Sequence, residues 1–270
     1  RLANCLLGEE FKDEETLIIG TSGRYEFKNK GINVFLEALN RLNRDKNLKK
    51  KVLAFVNVPS WVGDPREDLL ERLNSKKIFT TPLTCPLITH WLHNMTHDQV
   101  LDMLKYLGMG NNPEDKVKVI FVPCYLDGFD GIINKHYYDI VLCEDLTVYP
   151  SYYEPWGYTP LESVAFKVPT ITTDLAGFGL WANTLKGGKY SEIEDGVKVI
   201  HRSDYNYSEV ADVIRDTIVD FSAKSDTEVK KIRKNAASVA EKALWKHFIR
   251  YYYEAYDIAL CNAQKRNSQA

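Results

Sequence analysis

Apolar residues recur along the chain with two different periods. The run TLIIGT (16–21), rich in β-branched residues and followed by Ser22-Gly23, predicts a buried strand that ends in a loop. In 32–43, Ile32, Phe35, Leu36, Leu39 and Leu42 fall at the i, i+3, i+4, i+7 spacing of an amphipathic helix. KVLAFVNV (51–58), KVKVIFVP (116–123), VPTITT (168–173) and VKVIH (197–201) predict further strands, and IVLCE (140–144) and TVYPS (147–151) are short apolar runs. Between 59 and 94 the pattern is irregular, with a short charged helix expected at 66–74. A helix is expected to open at Thr96-His97-Asp98-Gln99 and run to about Leu107, and another to start after Pro160, since proline suits a first helical turn. From Tyr207 to about Ala263 the pattern is helical, with a charged break near Ser225-Asp226.

Strands alternating with helices imply a parallel sheet covered on both faces. The expected fold class is α/β, a doubly wound Rossmann-like sheet with long C-terminal helices packed across it. With no internal repeat and no low-complexity linker, residues 1–270 read as one domain whose helical C-terminal part begins at about 207. Composition agrees: 44% hydrophobic and 12% aromatic residues fill a core. A net charge of −2 gives no pull toward nucleic acid or an acidic membrane, and no apolar run approaches the ~18 residues that span a bilayer. Five scattered cysteines without C-x-x-C spacing read as reduced thiols of a cytoplasmic protein. The start, Arg1-Leu2-Ala3-Asn4, has neither an initiator Met nor a signal-peptide pattern and reads as part of a longer protein.

Three clusters carry candidate chemistry. In GRYEFKNKG (23–31), Arg24 and Lys30 put two cations on a loop between a strand and a helix, an arrangement suited to a diphosphate and equally compatible with a solvated loop. In YYEPWGYTPLE (152–162), Glu154 and Glu162 bracket a Pro155/Gly157 turn whose backbone N–H groups can approach an anion. Such a turn can hold a phosphate with Glu154 free to meet sugar hydroxyls and Glu162, about one turn into the helix, able to reach a ribose. The same residues also read as a helix start, with Thr159 as N-cap and Glu162 closing a capping box. Gly177-Phe178-Gly179 lets a loop pack closely on a ligand or another backbone, or forms an ordinary strand-end turn. His93 and His97 lack the Glu of a zincin helix, so no metal is expected. Serine-hydrolase, dinucleotide and P-loop motifs are absent from the sequence.

GRYEFKNKG (23–31), YPSYYEPWGYTPLE (149–162) and VPTITTDLAGFG (168–179) closely resemble glycogen synthase of the fungal, animal and some bacterial type, the third family of glycosyltransferases. ITHWLHN (88–94) and DKVKVIFVP (115–123) resemble it more weakly. The resemblance implies one half, the C-terminal donor-nucleotide-binding half, of a two-domain GT-B enzyme, with a further N-terminal Rossmann-like domain in the parent chain. It implies retaining transfer of glucose from UDP-glucose to an α-1,4-glucan, with no cofactor. By match, Arg24 and Lys30 contact donor phosphates, Glu154 lies by the transferred sugar and Glu162 meets the ribose. Gly157, Tyr158 and Thr159 bind the distal phosphate. Tyr137, seventeen residues before Glu154, stacks on the base. Two departures point to a bacterial-type member: 59–115 is short, and 229–245 keeps Lys230, Lys231, Arg233 and Lys234 but no further arginine, which argues against sugar-phosphate activation. An ADP-glucose donor, an inactive scaffold and homo-oligomerisation are left open.

Overall fold

The computed structural model describes residues 1–268. Helix α1 (Leu2–Leu7) precedes strand β1 (Thr16–Ser22), and helix α2 (Ile32–Asn43) leads into β2 (Lys51–Asn57). A side excursion follows, made of β3 (Val62–Pro65), α3 (Glu67–Asn74) and β4 (His90–Leu92), before α4 (Gln99–Leu107) and β5 (Val117–Val122). Next come α5 (Tyr137–Val141), β6 (Leu146–Val148), α6 (Tyr158–Ala165), β7 (Thr170–Thr173), α7 (Gly177–Thr184) and β8 (Val197–Ile200). Helices α8 (Tyr207–Ser222), α9 (Asp226–Lys242) and α10 (Trp245–Asn267) close the described chain. None of the described helices is long and apolar enough to cross a membrane.

Six strands pair in the order β5-β2-β1-β6-β7-β8, all parallel, while β3 and β4 form a separate antiparallel pair. This is the doubly wound sheet expected from the alternation of strands and helices. Its strands are largely buried because helices cover both faces, the threonines of β7 included. Lys118 breaks that pattern inside β5, where its ammonium is buried but reaches Glu9 at 3.4 Å and the Asn112 carbonyl. Helix α2 buries the five predicted residues and also Val34 and Ala38, because α8 packs along its outer side.

Several local expectations give way to tertiary structure. The helix expected to open within 96–99 does so at Gln99, where the Asp98 carboxylate caps it by accepting N–H bonds from Val100 (3.0 Å) and Leu101 (3.1 Å). The expected Thr159–Glu162 capping box is not formed. Helix α6 starts at Tyr158, ahead of Pro160, with Gly157 as N-cap at φ 106° and no side-chain cap bond. The glycines of 177–179 do not form a loop, since they are the first turn of α7. The close approach to another backbone is nonetheless present, because a Cβ on Gly177 would overlap the Pro155 carbonyl and one on Gly179 the Thr173 carbonyl. The C-terminal helical stretch breaks at Ser225, which forms a capping box with Glu228, and again at Leu244, where no polar signal marks the boundary. Helix α1 and the β3–β4 pair have no counterpart among the predicted elements.

The Gly179 contact sets a measurable cost. Gly179→Ala forces α7 away from β7 and is expected to destabilise the protein by about 2–3 kcal/mol. A lower urea midpoint at unchanged m-value reports it.

Candidate functional site

The winding of the sheet reverses between β1 and β6, so the crevice beyond their carboxyl ends is the topological switch point where ligands bind in this architecture. Both charged loops end there. Gly31, the N-cap of α2 at φ 70°, packs so closely on the loop after β6 that a Cβ would overlap the Pro150 carbonyl. The Tyr152 N–H donates to the Asn29 carbonyl at 2.7 Å across the same seam. From the other side, the Glu154 N–H donates to the Leu175 carbonyl (3.2 Å) and the Gly177 N–H to the Glu154 carbonyl (3.1 Å). The loop carrying Glu154 is thus clamped between α2 and the β7–α7 turn.

Within this seam the Lys30 ammonium donates to the Glu154 carboxylate, and both side chains are largely withdrawn from water, at 13% and 18% exposure. Arg24 reaches outward, 77% exposed, and pairs with Glu26 at 3.0 Å. An ion pair that exposed holds little energy, so the guanidinium exchanges partners at small cost. Gly157 lies against Glu154, and the first turn of α6 has no side-chain cap. The N–H groups of that turn therefore donate to no side-chain cap and remain open to an anion. Tyr158 projects into solvent, while Glu162, one turn on, accepts a bond from the Tyr138 hydroxyl at 3.0 Å.

A hollow of about 360 Å³ adjoins the seam, with Ser22, Arg24, Asn57, Tyr125, Tyr137 and Thr159 in its wall. Arg24, Thr159 and Tyr137, taken from three separate sequence segments, thus share one cavity; Glu162 is outside its lining. The Tyr137 and Ser22 hydroxyls share a bond of 2.7 Å, and burial pushes the Tyr137 phenol well above its ordinary range. The Tyr149 hydroxyl, pushed up to about 12 by burial, pairs with Ser163 at 3.1 Å. Ser22, Asn57, Tyr125 and Glu144 did not emerge as site residues from sequence motifs. Glu144 is buried and accepts a bond from the Asn57 amide at 3.3 Å, and its carboxyl is pushed up to about 8 by burial. A Cβ at Gly20 would overlap that carboxyl, which explains a glycine inside β1. The available signal was polar: Asn57 and Glu144 each close an apolar run.

Two other features lie apart from this crevice. His90, Cys124 and Asp130 bring donor atoms within 4.8 Å of one another, the spacing of a metal site. The Asp130 carboxylate, however, accepts N–H bonds from Ile132 (3.0 Å), Ile133 (2.7 Å) and Asn134 (2.7 Å). His90 donates from Nε2 to the Asp130 carbonyl (2.8 Å) and pairs through Nδ1 with Thr89 (2.9 Å). Burial pushes the Cys124 thiol up to about 12, away from the thiolate that metals take. A larger hollow, about 720 Å³, is lined by Thr16, Ile18 and Asp145 at the amino ends of the strands, the edge opposite to ligand binding in open α/β sheets. In α9, Arg233 is engaged by the Asp145 carboxylate (3.1 Å) and the Glu144 carbonyl (3.2 Å).

The glycogen synthase family model matches residues 7–71 and 65–269. Glycogen [starch] synthase of Neurospora crassa is 28% identical over 310 residues, covering 94% of this chain and 43% of that protein. The liver glycogen [starch] synthase of Homo sapiens is 26% identical over 303 residues, with the same coverage of 94% and 43%. The chain thus spans less than half the length of these curated relatives. Among solved structures, OtsA in its apo form aligns with a TM-score of 0.51 at 13% identity, over 89% of this chain and 43% of that one, a likeness of fold alone. With residues 7–71 and 65–269 matched by the family model, this chain belongs to the glycogen synthase family.

Proposed function

We propose that this chain is the donor-nucleotide half of a retaining glucosyltransferase that moves glucose from UDP-glucose to the 4-OH at the non-reducing end of an α-1,4-glucan. The observation that carries the reading is the meeting of Lys30 and Glu154, 124 residues apart in sequence, beside the uncapped start of α6 and a hollow walled by Arg24.

As the bond between sugar and phosphate breaks, negative charge builds on the leaving diphosphate. In this reading Lys30, Arg24 (once it leaves Glu26) and the N–H groups at Gly157, Tyr158 and Thr159 neutralise it. Glu154 orients the sugar hydroxyls next to the anomeric carbon. Tyr137 lines the cavity assigned to the nucleoside. Glu162 is assigned to the ribose and exchanges its Tyr138 bond for it on binding. The acceptor side belongs, in this reading, to a second Rossmann-like domain of the parent protein. Five free thiols suit a cytoplasmic location. With no arginine beyond Arg233 in 229–245, activation by a sugar phosphate is not expected.

Isothermal titration with UDP tests the reading. Arg24→Ala is expected to weaken binding by about tenfold or more, the value of a charge-assisted bond to phosphate. Equal affinity in wild type and variant removes the phosphate assignment, and ADP in the same cell decides the base.

A further inference from the structure

The turn from Glu154 to Gly157 carries two parts of the assigned donor site, the carboxylate for the sugar and the uncapped start of α6 for the phosphate. Backbone bonds close it: the Phe178 N–H donates to the Trp156 carbonyl at 2.7 Å, beside the Glu154 bonds to Leu175 and Gly177. Gly157 brings no side chain, and Pro155 is exposed. Beyond the Glu154–Lys30 pair, the half-buried Trp156 is therefore the side chain that seats this turn.

Trp156 belongs to a cluster of four rings drawn from three segments of the chain. Its centroid lies 6.0 Å from Phe178 and 5.9 Å from Trp181, both on α7, and 5.5 Å from Phe248 on α10. The planes of Phe248 and Trp156 meet edge to face at 89°, and Phe248 also meets Trp181 at 5.4 Å and 63°. Edge-to-face pairing is directional, so Phe248 constrains the tilt of the indole as well as its depth. Helix α10 itself buries no residue, and its other ring pairs, Trp245–Tyr252 and Tyr252–Tyr256, run along the helix. What Phe248 does for the domain is thus concentrated on Trp156 and Trp181.

We propose that Phe248 is a positioning residue of the donor site. Its ring holds the Trp156 indole, and through it the Glu154–Gly157 turn, in the orientation that brings Glu154 to Lys30 and presents the first N–H groups of α6 to the diphosphate. The assignment rests on the donor reading of that turn. Without the ring, the turn is free to tilt about its backbone bonds, and a misplacement of about 1 Å at reacting groups costs on the order of 10²-fold in rate.

Hydrogen exchange and UDP calorimetry on Phe248→Ala test the assignment. Exchange at the Gly177 and Phe178 N–H groups, which close the turn, is expected to speed up about 3–10-fold while β1 and β2 exchange as in the wild type. UDP affinity is expected to fall by a similar factor of about 3–10. Phe248→Tyr keeps the ring, with a hollow of about 340 Å³ beside it to take the hydroxyl, and is expected to restore both. Tyr252→Ala, further along α10, is expected to change neither. Faster exchange spread equally over β1 and β2 is general destabilisation and overturns the proposal. UDP binding that depends on Arg24 but is untouched by Phe248→Ala also overturns it, and leaves the nucleotide reading standing. Faster exchange confined to the turn in a protein that ignores UDP upholds the coupling of Phe248 to the turn while the nucleotide reading fails.

Discussion

Lys30→Ala and Glu154→Gln are expected to move UDP affinity in opposite directions. Lys30→Ala removes the ammonium from the seam and leaves the Glu154 carboxylate, mostly shielded from water, beside the diphosphate. UDP binding is expected to fall by about 10–100-fold, since a charge-assisted bond is lost and a like charge is left uncompensated. In the complete transferase, glucosyl transfer is expected to fall by about 10²–10³-fold, as when one preorganised donor is removed. Glu154→Gln keeps the shape of the side chain and frees Lys30 from its carboxylate. UDP affinity is therefore expected to hold or rise, while transfer is lost because the sugar hydroxyls no longer meet a carboxylate. Calorimetry with UDP, paired with a transfer assay from UDP-glucose to glycogen, reads both quantities. A loss of UDP affinity in both variants is the outcome that contradicts this division of roles.

Glu144→Gln is expected to flatten the pH dependence of stability. Burial pushes the Glu144 carboxyl up to about 8, against an ordinary value of 4.5; the Asn57 bond opposes the shift and Asp145 adds to it. Between those values the folded protein retains a proton that the unfolded chain has released. Stability then falls as pH rises through 4.5 to 8, and levels off above it. The neutral glutamine carries no such penalty. At pH 5 the two proteins should differ little, whereas at pH 8 the variant should be more stable by on the order of a few kcal/mol. Urea midpoints at pH 5, 6.5 and 8 check this, and parallel curves for the two proteins count against it. Glu144 lies behind Asn57 in the wall of the hollow, so UDP titrations across the same range show whether its charge is felt there.

Much of the architecture was legible in local pattern. The helix expected at 32–43 is α2 with the same bounds, and five predicted strands lie in the parallel sheet, because hydrophobic period reports which backbone geometry buries a face. The loops of Arg24, Lys30 and Glu154 were legible as motifs, because glycine and proline announce sharp turns and clustered charge announces itself.

Local pattern failed where a distant contact outweighed it. Thr159 and Glu162 form a good capping box on paper, but the clamp on the loop after β6 starts α6 at Tyr158 and gives Glu162 to Tyr138. Gly177 and Gly179 read as a loop until the backbones of Pro155 and Thr173 explain their missing side chains as close packing around a helix start. By itself the sequence determined the strands of the main sheet, most of the long helices and the charged loops, while α1, α7 and the β3–β4 pair came only from the structure. Only the order of the strands decided that those loops face each other and that Asn57 and Glu144 stand behind them. That order is a balance of long-range packing, and no stretch of neighbouring residues encodes it.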